Sequence, residues 1–479
     1  MASIFVKKNT TDDYLVAGRG MHPALAALSA VSTWNSGYMF IGFIGFMWMY
    51  GYSAIWISLI STLGQLVAWI WIYKRIQHEA NERNVRSLSS LVAKVKGAPE
   101  AKLAALFSVM FLLIYAAAQL SSGGKALFAM LGWSQMVGIL IGYMLVILYC
   151  TAGGIRASIW TDAAQSCVMI VGSTLLCWVA LAEVGGLSGL HSSLSDIDPN
   201  LTDIAPQGLK FGFSLWVFAF FLGGVGVAGQ PQVVSRVMTL ESDSDRKQAC
   251  IWFFVWQTPF LVLMILIGLA SRVMFPVQDS FDPELALPML AMDVLGPFWV
   301  GVILASIFAA TMSTADSQVL ACTAAITDDL VPSWAQDHSK TKLTTVTMAI
   351  LATLISLGAL WTENNSVFSL VVLAVYGLGG IFIPLLLIRF SGYQPSSSHS
   401  IIMMISALVA VITWRLMGLN NEIFESVPGM GAAFLAHFIM LAVKKDPWLY
   451  DRLPSKDKLI TIIGLIIFCV VAIEIWYFT

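Results

Sequence analysis

Long apolar stretches alternate with short polar or glycine- and proline-containing breaks along almost the entire chain. A stretch of about 20 apolar residues is long enough to cross a membrane as a helix. The pattern therefore predicts thirteen transmembrane helices, and a shorter apolar segment at 284–296 predicts an interfacial helix in an outer loop. The thirteen predicted ranges are 24–50, 53–75, 103–124, 134–152, 157–184, 209–235, 248–275, 298–327, 342–361, 365–390, 400–418, 428–443 and 458–478.

The composition supports a membrane protein and excludes two other classes. Hydrophobic residues make up 58% of the 479 residues, charged residues make up 11%, and the mean hydropathy is +0.80. Soluble domains usually carry about 25% charged residues. So many apolar residues cannot be buried in one or two soluble cores, which argues against a soluble enzyme and against a nucleic-acid binder. The six cysteines and six histidines are scattered singly, so we expect no disulfide, no transition-metal site and no organic cofactor.

The distribution of Lys and Arg predicts the orientation. With the N-terminal segment in the cytoplasm, 22 of the 26 Lys and Arg residues fall on the cytoplasmic side. The positive-inside rule predicts such an excess. We therefore expect a multi-pass protein of the plasma (inner) membrane whose N-terminal segment is cytoplasmic.

Two of the predicted helices are interrupted at similar places. Small and polar residues break the first helix at Ser32–Gly37, and a glycine-rich segment that ends in proline breaks the sixth at Gly223–Pro231. These helices open two successive sets of five, and interrupted helices at matching positions are typical of inverted-repeat secondary transporters. Unwound backbone in such a helix exposes carbonyl groups to a cation. The alternative is that the small residues only permit close helix packing.

Two carboxylates lie inside predicted helices, where a charge is costly and usually functional. Asp162 lies near the start of the fifth helix, and Asp316 lies in the middle of the eighth. Ser313 and Ser317 share one helical face with Asp316, and hydroxyl and carboxylate oxygens suit a hard alkali cation. The alternative is a packing face whose hydroxyls bond to the preceding helical turn, but that interpretation leaves the carboxylate unexplained.

Five segments of the sequence resemble the sodium:solute symporter family, and the sodium/proline symporter branch in particular. The resemblance extends from about residue 11 to residue 445, and the motif in the eighth helix is highly specific. The segments are TDDYLVAGR at 11–19, IWTD at 159–162, GQP at 229–231, AATMSTADSQVLA at 309–321 and AITDDL at 325–330.

This resemblance implies a fold, an activity and an ion site. The fold is an all-α membrane protein with a five-plus-five inverted-repeat core in which helices 1 and 6 are broken. The activity is solute uptake coupled to inward sodium flow. Carried over by position, the sodium site would use the carbonyls of Ser32, Asn35 and Ala310 and the hydroxyls of Ser313 and Thr314. A second cation site, present in some branches of the family, would use Asp162, Ser313, Asp316 and Ser317.

The solute pocket implied by the resemblance differs from that of the proline symporters. There, the position matching Trp34 is an aspartate, and the positions matching Gly223 and Val227 carry a tryptophan and a tyrosine that line the pocket. This chain instead has an aromatic side chain at Trp34 and none at Gly223 or Val227. We therefore expect its solute pocket to be lined differently from that of the proline symporters. Gln65 and Gln119 are weaker candidates, whose simpler interpretation is an interhelical hydrogen bond. The predicted solute contacts are Trp34, Asn35, Ser36, Gly37, Gly223, Val227 and Gln230.

We therefore expect a sodium-coupled symporter that imports a small organic solute, an amino acid such as proline or a related carboxylate, by alternating access. Its expected partners are the solute, the sodium ion and the lipid bilayer, without nucleic acid, and we expect it to act as a monomer. A proton-coupled carrier of the same fold is the alternative, with Asp162 or Asp316 as the titrating group. A membrane enzyme would need a nucleophile–base or metal constellation, and a transporter-like sensor would need an appended signalling domain.

The same considerations divide the chain into five parts. Family members have a lead helix ahead of the TDDY segment, and only its cytoplasmic end is expected here, which suggests a truncated or misassigned start. The five parts are a cytoplasmic stub at 1–23, the first five-helix repeat at 24–184, an outer loop at 185–208, the second five-helix repeat at 209–390 and three accessory transmembrane helices at 391–479.

Overall fold

The computed structural model describes residues 10–206, 208–276, 281–361, 366–444 and 446. Within these residues every regular element is helical. Nine of the helices there are long and apolar enough to cross a membrane, and a bent helix pair makes a tenth candidate. The predicted all-helical membrane architecture is confirmed. The predicted helix at 458–478 and the first nine residues lie outside the described residues.

The part predicted as the first repeat contains three candidate spans, at Pro23–Glu82, Pro99–Leu131 and Gly153–Glu183, and a shorter apolar helix at Gln135–Thr151. A π-helical turn joins α2 to α3 and another joins α4 to α5. Helix α8 leaves helical geometry at Gly154, which separates the predicted fourth and fifth crossings. The helices up to this point are α1 (Thr11–Val16), α2 (Pro23–Gly37), α3 (Phe43–Tyr50), α4 (Ile55–Val67), α5 (Tyr73–Glu82), α6 (Leu88–Val92), α7 (Pro99–Leu131) and α8 (Gln135–Glu183).

The second repeat also begins with a broken helix. Its two halves, α10 (Phe213–Gly226, extended by one turn to Gly229) and α11 (Pro231–Val237), are bent by 62° relative to each other. Helix α9 (Gly186–Ile197) lies in the connection between the repeats. The remaining helices are α12 (Asp243–Met274), α13 (Ala286–Val294), α14 (Pro297–Ala325), α15 (His338–Ala359), α16 (Val367–Phe390), α17 (Ser397–Leu416) and α18 (Ser426–Lys444).

The predicted ranges agree with these helices, and the differences concern their ends. Each of the first twelve predicted ranges overlaps a helix of the described residues, and the predicted interfacial helix corresponds to α13. Helix α12 begins five residues before its predicted start, because Ser242 and Asp245 form a capping box outside the apolar stretch. An apolar count detects only the part of a helix that lies in the membrane.

The two breaks have local causes in the sequence. In α2 the backbone leaves helical geometry at Ser36, where φ is 39° and ψ is 179°. In the sixth membrane helix Gln230 is extended, with φ at −94° and ψ at 108°, and Pro231 begins the second half. A residue before proline is disfavoured in the α region, and proline fits well at the first position of a new helix. Both predicted interruptions are therefore present.

The N-terminal segment is held against the bend of α8. At Gly154 φ is 59°, a conformation that favours glycine. A Cβ atom built on Gly154 would lie only 2.3 Å from the carbonyl oxygen of Tyr14. The Tyr14 hydroxyl also donates to the Cys150 carbonyl at 2.9 Å. The glycine therefore lets α1 pack directly on the turn between the fourth and fifth crossings.

Helix α14 lies at the centre of the molecule. It contacts α2, α7, α8 and α15, and every residue from Ala309 to Ala325 is buried. Its polar residues must therefore find partners on the neighbouring helices. The candidate sites lie where α14 meets the two breaks.

Candidate ion and solute sites

Hydroxyl groups of α14 meet free carbonyl groups of α2 at the first break. The Ser313 hydroxyl donates to the Ala310 carbonyl at 3.0 Å and lies 3.4 Å from the Ser32 carbonyl. The Thr314 hydroxyl lies 3.0 Å from the Ala310 carbonyl, 3.1 Å from the Thr33 carbonyl and 3.5 Å from the Ser32 carbonyl. The Ser32 hydroxyl in turn donates to Ser313 Oγ at 2.9 Å. All these groups are buried. We call these residues the hydroxyl–carbonyl cluster.

The break explains why these carbonyls are accessible. In an unbroken helix the N–H of Gly37 would donate to the carbonyl of Thr33, four residues earlier. Here it donates instead to Oε1 of Gln119 at 2.7 Å. The carbonyl of Thr33 is thereby released toward α14. The carbonyl of Asn35 accepts the N–H of Tyr38, and no hydrogen bond joins Asn35 to the cluster among the described residues.

A second buried cluster lies nearby and contains an arginine. Nη2 of Arg236 on α11 lies 3.3 Å from Asp162 Oδ2 and 2.9 Å from Ser158 Oγ, and it also contacts Ser317 Oγ. Nε of Arg236 donates to Ser29 Oγ at 3.1 Å. The guanidinium thus connects four chain segments, namely its own helix, α2, α8 and α14. We call this group of residues, together with Asp316, the arginine cluster.

Both carboxylates of this cluster are hydrogen-bonded by hydroxyls. Asp162 Oδ2 accepts the Ser29 hydroxyl at 2.6 Å and lies 3.4 Å from the Ser158 hydroxyl. Asp316 Oδ1 lies 3.2 Å from the Ser158 hydroxyl and 3.1 Å from the Ser317 hydroxyl. Asp162 and Asp316 are at most 1% exposed. Two carboxylates and one guanidinium therefore occur together, shielded from solvent.

A small cavity of about 60 Å³ lies beside the first break. Aromatic and aliphatic side chains form most of its wall, including Trp34, which was predicted to contact solute. Ser58 Oγ, Gln65 Oε1 and Gln257 Oε1 are buried in this wall and have no hydrogen-bond partner among the described residues. Such orphaned polar atoms in an apolar wall are typical of a ligand site. The other aromatic residues of the wall are Tyr38, Phe43, Tyr115 and Tyr376.

The other predicted solute residues lie outside the wall of this cavity. Ser36 Oγ accepts the N–H of Tyr38 at 3.0 Å, and the side chain of Gln230 donates to the Val375 carbonyl at 2.7 Å. Val227 is buried. Asn35 is also buried, and its side-chain amide has no partner among the described residues.

Gly223 leaves room for an aromatic ring from another helix. A Cβ on Gly223 would lie 2.2 Å from Cε1 of Tyr376 on α16. The ring of Tyr376 therefore packs directly on the backbone of the sixth helix. Aromatic side chains near this position therefore come from Tyr376 of α16 and from Trp34, since Gly223 has no side chain.

Several residues at these sites were not predicted. Tyr38, Gln257 and Tyr376 line the cavity, but in the sequence each belongs to an apolar run and carries no distinguishing signal. Arg236 is one of the 22 Lys and Arg residues that the predicted topology places on the cytoplasmic side, but in the structure it is buried. Its position only five residues after Pro231, within the half-helix that follows the break, was the available signal. Of the weaker candidates, Gln119 forms the predicted interhelical hydrogen bond, and Gln65 lines the cavity.

Both ends of the molecule carry a cavity, and the one at the end that carries α1 has a volume of about 650 Å³ and is bordered by Asp12, Asp13 and Arg156. At the end that carries α1, Arg156 pairs with Asp13 at 2.7 Å, and Arg86 pairs with Asp12 at 2.9 Å and with Asp328. Burial alone would lower the pKa of Arg86, but its hydrogen bond and charge interaction with Asp328 raise the pKa above its ordinary value. These pairs connect the N-terminal segment to the helices around it.

At the opposite end a cavity of about 450 Å³, larger than the small cavity beside the first break, lies between α3, α10 and α16. Its wall includes Phe368 and Arg415, and Val372 belongs to the walls of both cavities. The rings of Tyr38 and Phe368 stack with 5.6 Å between their centroids. This aromatic pair therefore lies between the small cavity and the larger one.

Comparison with known proteins adds three sets of findings. Residues 14–392 match the family model described as the sodium:solute symporter family. The chain is 28% identical over 455 residues to the high-affinity proline transporter PutP of Bacillus subtilis (strain 168), covering 92% of this chain and 95% of that protein. It is 27% identical over 464 residues to the sodium/proline symporter of Escherichia coli (strain K12), covering 93% of this chain and 91% of that protein.

Solved structures share the fold. A Na+-coupled sialic acid symporter in a substrate-bound outward-open state aligns with a TM-score of 0.76 at 18% identity, over 92% of this chain and 94% of that chain. Mhp1, a nucleobase-cation-symport-1 family transporter, aligns with a TM-score of 0.59 at 16% identity, over 92% of this chain and 95% of that chain. At such identities the likeness concerns the fold alone.

Proposed function

The chain belongs to the sodium:solute symporter family, and from that premise we propose that it imports a small organic solute together with sodium by alternating access. The solute that we propose is an amino acid such as proline, or a related carboxylate. Similarity to proline transporters over more than nine-tenths of the chain supports this class. The observation that carries the proposal is the hydroxyl–carbonyl cluster at the break of α2.

In this proposal sodium binds between α2 and α14. Its ligands are the carbonyls of Ser32, Asn35 and Ala310 and the hydroxyls of Ser313 and Thr314. A hard cation prefers such oxygen ligands, and the buried cluster offers hydroxyls that already converge on the same carbonyls. Because the ion would bridge two helices, it would stabilise one arrangement of them over another, which is the requirement for coupling.

The solute would bind at the adjacent cavity, whose volume of about 60 Å³ would have to widen toward the about 300 Å³ or more of an ordinary ligand pocket. Among the described residues that line it none is charged, which favours a solute without net charge, such as a zwitterionic amino acid. The unpartnered oxygens of Gln65 and Gln257 would accept hydrogen bonds from an amino group. The aromatic rings of Trp34, Tyr38 and Tyr376 would cover its apolar part.

The orientation in the plasma membrane follows from the charge distribution, with the N-terminal segment in the cytoplasm. The ion pairs around α1 then lie at the cytoplasmic end, where Asp12, Asp13 and Arg156 border a cavity of about 650 Å³. The cavity beyond Tyr38 and Phe368 is the route from outside, and this aromatic pair separates it from the solute.

A two-step experiment tests the proposal. Purified protein is first screened by thermal shift against amino acids and small carboxylates, with and without sodium, because a ligand raises the melting temperature only if it binds the folded state. The hit is then followed as radiolabelled solute into proteoliposomes under an inward sodium gradient. We expect sodium-dependent accumulation that a sodium ionophore abolishes. Equal accumulation under a proton gradient without sodium would instead support the proton-coupled carrier.

A further inference from the structure

The exposed side of α4 and α5 changes from apolar to basic near the end of α5. Leu63, Val67 and Ile70 are each at least 41% exposed, and the next exposed residues on this side are Lys74 and Arg75. These positions follow one another at intervals of three to five residues, so they share one side of the helix. In the proposed orientation the apolar part contacts lipid tails, and the basic part lies at the level of the cytoplasmic head groups.

Two contacts hold the guanidinium of Arg75 at this boundary. Its Nη1 donates to the carbonyl of Phe390, at the end of α16, at 2.6 Å. The guanidinium carbon also lies 5.5 Å from the centre of the Trp71 ring, within the range of a cation–π interaction. Trp71 is 41% exposed, and tryptophan is typical of the membrane interface. The other N–H groups of Arg75 are therefore oriented before any ligand binds, which lowers the entropic cost of binding.

Lys74 and Arg75 have no acidic partner. Among the described residues no carboxylate forms an ion pair with either side chain, because the two acidic residues of α5, Glu79 and Glu82, pair with other basic residues. Two adjacent positive charges thus face the head groups without a counter-ion. Such a surface is complementary to an anion that lies in the membrane interface.

We propose that Trp71, Lys74 and Arg75, which we call the basic patch, bind the phosphate group of an anionic phospholipid. A guanidinium binds phosphate oxygens through parallel N–H groups, and lysine adds a point charge. The apolar residues of the same helix side continue directly from the patch and would contact the acyl chains. A free phosphate ion has no such chains, so the continuity of the two parts favours a lipid.

The bound phosphate would lie where α5 meets the end of α16. Arg75 already connects these two helices through the Phe390 carbonyl. The lipid would hold Arg75 in this position and so stabilise the contact between a helix of the first predicted repeat and one of the second. The proposal does not depend on the proposed function, because the patch lies on the lipid-facing surface, away from the candidate ion and solute sites.

Native mass spectrometry of the purified full chain tests the proposal by counting bound lipids. Delipidated protein is incubated with equal amounts of phosphatidylglycerol, which is anionic, and phosphatidylethanolamine, which is zwitterionic. We expect the wild type to retain phosphatidylglycerol preferentially. In Lys74→Gln with Arg75→Gln this preference should fall about 25-fold, since each basic residue near the surface contributes about a factor of five. Equal retention of the two lipids by the wild type would overturn the proposal, as would an unchanged preference in the double variant.

A matched control removes two exposed lysines that do have acidic partners. Lys247 pairs with Asp243 at 3.0 Å, and Lys340 pairs with Asp337 at 3.5 Å. Lys247→Gln with Lys340→Gln changes the net charge by the same amount and should keep the wild-type preference. An equal loss there would attribute lipid binding to overall charge and overturn the site. Displacement of phosphatidylglycerol by excess inorganic phosphate would identify a site for the free ion and overturn the assignment to a lipid.

Discussion

Removing a single hydroxyl from the hydroxyl–carbonyl cluster tests the proposed sodium site most directly. Ser313→Ala removes an oxygen that lies 3.0 Å from the Ala310 carbonyl and 3.4 Å from the Ser32 carbonyl. Thr314→Ala removes one that lies within 3.5 Å of the same two carbonyls. Both side chains are fully buried, so bulk water cannot supply a replacement ligand.

The expected magnitude follows from the number and kind of ligands. Each substitution removes one of the five proposed oxygen ligands of the ion. A polar contact to a charged group contributes about 1.5–3 kcal/mol, and 1.4 kcal/mol corresponds to a factor of ten. We therefore expect the Kd for sodium to rise about 10- to 100-fold in either variant. Stability without sodium should change by no more than about 1 kcal/mol in Thr314→Ala, whose hydroxyl bonds only to carbonyls, and somewhat more in Ser313→Ala, which also removes the acceptor of the Ser32 hydroxyl.

The assay is displacement of radioactive sodium by increasing unlabelled sodium, with Ser306→Ala as the matched control. Ser306 lies on the same helix and is equally buried, but its hydroxyl contacts the carbonyls of Val302 and Val168, away from the break. Its Kd for sodium should equal that of the wild type. Unchanged sodium affinity in both Ser313→Ala and Thr314→Ala would refute the proposed sodium site. An equal rise in the Kd for sodium in Ser306→Ala would show that the substitutions act through helix packing and not through loss of an ion ligand.

Three further predictions concern the cavity, the bend of α8 and a buried ion pair. Gln257→Leu should weaken solute binding about tenfold in calorimetric titration, at unchanged sodium affinity, because it removes an unpartnered acceptor from the cavity wall. Gly154→Ala should destabilise the fold by about 2–4 kcal/mol and lower the melting temperature, since a Cβ meets both a positive φ and a backbone carbonyl. The control Gly301→Ala lies inside α14 with open space around it, so it should not lower the melting temperature. Glu284→Gln should destabilise by about 1.5–3 kcal/mol, because it removes the charged partner of Lys125 at 2.6 Å while Asp282 at 3.1 Å remains, and an unchanged melting temperature would contradict this account.

The sequence predicted the helices and their breaks because those features are local. Twenty apolar residues specify a membrane crossing without reference to the rest of the chain. Pro231 and the glycines before it disrupt their own helix whatever lies opposite. The spacing of Ser313 and Ser317 on one helical face likewise follows from helical periodicity alone.

Residues whose role depends on distant contacts could not be predicted in this way. Arg236 reaches Ser29 and Ser317, which are 207 and 81 residues away along the chain. Tyr376 of α16 packs on Gly223 of α10, 153 residues away along the chain. In both cases the side chain fills a space that another helix creates, and periodicity contains no information about which distant residue will fill it.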